Sequence, residues 1–67
     1  MNNFKHNLKM LRMRAGVTQY RIAKDLDINA QTYRNIEYGQ QKPNIDHLIK
    51  LSQYFSISID DLILSKQ

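Results

Sequence analysis

Apolar residues recur along this chain at intervals of three and four, with no sustained interval of two, so the pattern predicts helices and no sheet. Phe4, Leu8, Leu11 and Ala15 fall at i, i+4, i+7 and i+11 and predict a first helix over residues 3–15 with one apolar stripe for the core. Ile22, Ala23 and Leu26 predict a second over about 19–26, behind Thr18, whose hydroxyl can accept a bond from an orphan amide of the first turn. Asp27 stands where the chain must reverse, Ile28 offers the turn an apolar anchor, and Asn29 is the cap of a third helix. That helix ends near Tyr38, because Gly39 enters the left-handed conformation without a Cβ penalty. Thr32, Tyr33 and Ile36 fall on one side of it, and Ala30, Gln31, Arg34, Asn35 and Tyr38 mainly on the other.

Asn44 is placed to cap a fourth helix in which Ile45, Leu48, Ser52 and Phe55 face one way with Leu51 alongside. Ser58 is placed to cap a fifth, with Asp60 and Asp61 at the positive end of its dipole. Ile57 and Leu62 complete the core with one or two of Ile59, Ile63 and Leu64. The remainder of that set has no place in so small a core, and it marks a candidate interface between two copies of the chain.

Length changes the picture little: 67 residues make one domain over 1–67, of a size that buries only about 60% of its unfolded surface. With no cysteine there is no disulfide framework, and no apolar run approaches the roughly 18 residues of a membrane span. The expectation is a soluble, cytoplasmic chain without membrane contact.

Charge changes it more. The net charge is +4, and residues 1–24 hold Lys5, Lys9, Arg12, Arg14, Arg21 and Lys24 without one acid. This basic end is suited to a polyanion such as phosphate, although a charge run alone also fits a solvated helix face. Together with the short, amide-bearing outer side of the third helix, it points to double-stranded DNA, whose base edges amides can read.

No catalytic dyad, metal cluster or phosphate-cradling glycine loop is visible, so the chain is not expected to be an enzyme or to hold a metal or cofactor, and no small-molecule ligand is evident. His6 and His47 lack partners at zinc-ligand spacing. Met10 and Met13 are better read as fillers at a core margin than as soft ligands.

Thr18-Gln19, Ile22-Ala23, Leu26, Ile28, Thr32, Ile36-Glu37, Gly39, Pro43, Leu48, Leu51 and Ser58-x-x-x-Leu62, taken in order, resemble the Cro and phage-repressor (Xre-like) helix-turn-helix family over roughly residues 4–64. The resemblance implies an all-α, five-helix, lambda-repressor-like domain with the helix-turn-helix at helices 2 and 3. It further implies a cytoplasmic, nucleoid-associated regulator of bacterial or phage origin, acting as a homodimer on an inverted-repeat operator. Positions matching Ala30, Gln31 and Asn35 are the usual base readers, to which Arg34 is added as a candidate for guanine. Gln19, Asn29, Tyr38, Gln41 and Lys42 are the candidate phosphate contacts. Arg12 and Glu37 match a structural ion pair, and Ile59, Ile63 and Leu64 are the candidate dimer contacts.

Two departures from the family pattern are local. Asp27 stands where glycine is usual, and Arg21 where an acid would complete a capping box at Thr18. A rival reading is an antitoxin-type interaction module, which usually needs an extension to grip its partner. Only Ser65-Lys66-Gln67 follow the last predicted helix.

Overall fold

The computed structural model describes residues 3–65; Lys66 and Gln67 of the expected domain lie outside the described residues, as do the first two. Five helices follow in order: α1 (Phe4–Ala15), α2 (Gln19–Asp25), α3 (Ala30–Tyr38), α4 (Ile45–Phe55) and α5 (Ile59–Ile63). There is no strand among the described residues, as the absence of period-two alternation predicts. α1 packs against α3 and α5, α2 against α3, and α4 against α5, which sets the α2–turn–α3 unit on one flank of the bundle.

The caps form where the sequence places them. Thr18 Oγ1 accepts from the Arg21 amide, Asn29 Oδ1 from the Gln31 and Thr32 amides, and Ser58 Oγ from the Asp61 amide. Gly39 closes α3 at φ 80°. Asp27 takes the left-handed turn at φ 56°, the conformation that Asp tolerates better than most residues. Arg21 completes no capping box and instead reaches Asp25 at 3.0 Å. A capping box does occur at α4, where His47 Nδ1 accepts from the Asn44 amide at 3.2 Å. Ser56, at φ 55°, ends α4 in a left-handed conformation that its sequence does not announce.

The core gathers Phe4, Leu8, Ile22, Ala23, Leu26, Tyr33, Ile36, Leu51 and Leu62, with Leu11, Leu48, Phe55 and Ile57 partly buried against it. Three expectations are corrected. Ala15 is exposed because α1 runs past the body of the bundle in its last turn, and Met13 is exposed rather than filling a gap. Ile45 points to solvent because α4 turns the Leu48–Leu51–Phe55 side to the core, and Ile45 lies off that side. In place of Ala15, α1 buries Asn7 completely: its Nδ2 donates to Leu62 O at 2.8 Å and to Ser65 O, satisfying carbonyls at the end of α5. A buried amide is tolerated when its hydrogen bonds are made, and these bonds join the two ends of the chain.

Candidate nucleic-acid interface

Five of the expected base readers and phosphate contacts, Ala30, Gln31, Arg34, Asn35 and Tyr38, lie together on α3, and their neighbours are set by three surrounding segments. The outward row of α3 is exposed at Gln31 and half-buried at Arg34 and Asn35. Gln31 Nε2 donates to Asn35 Oδ1 at 3.0 Å, and an Arg34 guanidinium N–H donates to Gln31 Oε1 at 2.9 Å. Ala30 sits at the first position of α3, half-buried and partly packed against the core. Asn29 precedes it with its side-chain oxygen occupied by two backbone amides.

At the other end of α3, Tyr38 is half-exposed and its hydroxyl donates to Gln19 Oε1 at 3.4 Å. Gln19 Nε2 in turn donates to Glu37 Oε2, so the first residue of α2 is tied to the last turn of α3. Glu37 Oε1 accepts from Arg12 Nε at 2.8 Å, and Arg12 also donates to Val17 O at 2.9 Å. The expected ion pair is therefore present, with Gln19 as a third member that spacing alone did not reveal. The Tyr33 hydroxyl is buried beside this pair, and burial, followed by the Glu37 charge, pushes its ionisation far above the ordinary phenol value.

An open groove of about 560 Å³ runs along this network, lined by Lys5, His6, Lys9 and Arg12 of α1 with Gln19, Glu37 and Tyr38 opposite. A second, of about 330 Å³, continues from Lys5 and His6 past Gly39 to Gln41, Lys42 and Pro43. Lys5 lies so close over the α3 terminus that a Cβ at Gly39 would come within 2.9 Å of its Cδ. Lys5 and Lys9 were legible as part of a basic end but not as members of the site. The signal was their i, i+4 spacing, continued by Arg12 at i+7, which lines one face of α1.

The basic end does not act as a block. Lys5, Lys9 and Arg12 line the groove, and Glu37 neutralises Arg12. Arg21 is paired with Asp25, while Arg14 and Lys24 are exposed and line neither groove. Asp25 is held below its ordinary carboxylate value, chiefly by a hydrogen bond from the Tyr54 hydroxyl at 2.9 Å, against partial burial and with help from Arg21. Tyr54 thereby braces α4 against the end of α2.

Among the described residues no cluster of His, Cys, Asp or Glu could hold a metal ion, and no helix is long and apolar enough to cross a membrane. Of the expected dimer contacts, Leu64 is 65% exposed, Ile59 is half-buried, and Ile63 packs against the core. α4 adds exposed Ile45 and Ile49.

The sequence profile of the helix-turn-helix family matches residues 8–62. An uncharacterised HTH-type transcriptional regulator of Methanocaldococcus jannaschii is 32% identical over 60 residues, 90% of this chain and 91% of that protein. The HTH-type transcriptional regulator ImmR of Bacillus subtilis is 38% identical over 84% of this chain and 44% of its own length. The HTH-type transcriptional activator BcrR of Enterococcus faecalis is 30% identical over 96% of this chain and 31% of its own length. The chain thus spans nearly all of the archaeal relative and less than half of these two bacterial ones. No solved structure matches it significantly.

Proposed function

The chain belongs to the helix-turn-helix family of DNA-binding transcriptional regulators and is not an enzyme, and from that premise we propose that it represses transcription by binding an inverted-repeat operator as a homodimer. The observation that supports this reading is the outward amide row of Gln31 and Asn35 on α3, flanked by a cationic groove and the Gln41–Lys42 loop. Two kinds of contact are needed for selective binding, and both have candidates here. Lys5, Lys9, Lys42, Gln41, Gln19, Tyr38 and Asn29 meet phosphate, which fixes register and contributes a salt-dependent part of the affinity. Ala30, Gln31 and Asn35 meet base edges, with Ala30 against a thymine methyl and each bidentate amide contributing roughly 1 to 3 kcal/mol of discrimination.

A second copy follows from size. The described chain extends 25 × 23 × 18 Å, whereas successive major grooves on one side of a duplex lie about 34 Å apart. One copy reads one half-site, too few base pairs to single out a place in a genome. The joint draws on exposed Leu64, with Ile59 and Ile63 beside it, and on Ile45 and Ile49 of α4. Repression needs nothing beyond occupancy of DNA in the cytoplasm, since a bound dimer excludes other proteins from its site.

Selection of bound sequences from random duplex DNA tests the reading. The expected result is an inverted repeat with half-sites centred about 10 base pairs apart, whose cooperative binding is lost on inserting five base pairs. Recovery of a single, unpaired half-site would refute the dimer, and recovery of no consensus would refute sequence-specific binding.

A further inference from the structure

On the outer face of α3 three side chains form a directed chain: Arg34 donates to Gln31 Oε1 at 2.9 Å, and Gln31 Nε2 donates to Asn35 Oδ1 at 3.0 Å. We propose that Arg34 is a positioning residue for base reading, which sets the direction of the Gln31 and Asn35 amides so that the two read DNA as one coupled unit. The inference rests on the DNA-reading function proposed above, and it reassigns the arginine that the sequence offers as a guanine reader.

The argument is one of donor and acceptor inventory. A primary amide has two similar ends, an oxygen that accepts and a nitrogen that donates, and reversing it exchanges what it offers a base. Arginine carries five N–H donors and no acceptor, so it can engage only the oxygen end of Gln31. With Oε1 held toward Arg34, Nε2 is turned toward Asn35, which must then present Oδ1. Every orientation in the row follows from the one group that cannot accept.

The chain also leaves the reading capacity that DNA requires. Gln31 retains one N–H and one lone pair, matching the N7 acceptor and N6 donor on the major-groove edge of adenine. Asn35 keeps both N–H groups of its amide and turns its oxygen along the helix, so its donor end serves acceptors such as guanine O6 and N7 or thymine O4. Arg34, half-buried and committed to Gln31, is spent on orientation.

The test compares bound-sequence selections for the parent protein, Arg34→Met, which keeps the length of the stem without a donor, and Arg34→Lys, which can still only donate. In Arg34→Met the base preferences at the two positions read by Gln31 and Asn35 should relax together, each by about tenfold or to near indifference. The other positions should keep theirs, and Arg34→Lys should restore most of the parent profile. In the free protein, the side-chain amide signals of Gln31 and Asn35 should both move in Arg34→Met, a readout that needs no DNA. Loss of preference at one separate position would show that Arg34 reads a base itself and would overturn the proposal, as would an unchanged profile with unmoved amide signals. A parent protein that selects no sequence would overturn the DNA-reading function beneath it.

Discussion

Arg12 donates from Nε to Glu37 Oε1 at 2.8 Å, and the Glu37 side chain is only 1% exposed while that of Arg12 is 16% exposed. The pair joins α1 to α3 from positions 25 residues apart, and Gln19 brings the start of α2 onto the same carboxylate. A buried carboxylate with both oxygens engaged is a junction on which the reading helix rests. Its role is to hold α3 at a fixed angle to the cationic face of α1.

Arg12→Ala and Glu37→Ala should each destabilise the fold by about 3 to 5 kcal/mol, because either leaves a buried charge without its partner. The double variant should lose clearly less than the sum. Urea unfolding of the four proteins measures the coupling, and strict additivity would show that the two charges act independently.

Two non-glycine residues sit in the left-handed region, Asp27 at φ 56° and Ser56 at φ 55°. Ser56 has the less tolerant side chain of the two, so Ser56→Gly should stabilise the protein by up to about 1 kcal/mol, net of the greater freedom glycine has when unfolded. For a domain of this size the melting temperature should rise by roughly 4 to 8 °C per kcal/mol. Asp27→Gly should gain less, and a fall in melting temperature at Ser56 would contradict the strain argument.

Tyr54 and Asp25 give a pH signature. The folded state lowers the Asp25 pKa below its reference of 3.8, first through the Tyr54 hydrogen bond. A lowered carboxylate stabilises the fold above the unfolded pKa, and that contribution disappears as pH falls through the folded value. Tyr54→Phe should therefore be less stable than the parent at neutral pH, and the gap should close in acid below 3.8. A gap of the same size at both pH values would assign the loss to packing instead.

Lys5→Gln and Lys42→Gln should weaken binding to cognate and random DNA alike, since phosphate carries no sequence. Each should reduce the slope of log affinity against log salt by about 0.9. Arg14→Gln, at a residue that lines neither groove, should leave the slope unchanged. A titration over several salt concentrations distinguishes these outcomes, and an equal effect from Arg14 would mean that the grooves do not define the DNA path.

Helix order, the caps at Thr18, Asn29, Asn44 and Ser58, and the left-handed closure at Gly39 were all legible in the sequence. Each depends on residues within four positions of one another, and periodicity and side-chain chemistry report such local relations directly. The outward placement of Gln31 and Asn35 follows from the same periodicity. Resemblance to a family supplied the pairing of Arg12 with Glu37, which no local rule contains. What only the tertiary structure decided are relations between distant segments. Asn7 is polar and reads as surface, yet it is buried because the end of α5 delivers carbonyls to it. Ile45 is apolar and reads as core, yet it is exposed because the rotation of α4 is set by what Leu48, Leu51 and Phe55 meet. Gln19 reads as a free phosphate contact until α3 brings Glu37 and Tyr38 to it. A sequence fixes which face of a helix is apolar on average, but the partner each side chain meets depends on how whole helices settle against one another to close a common core.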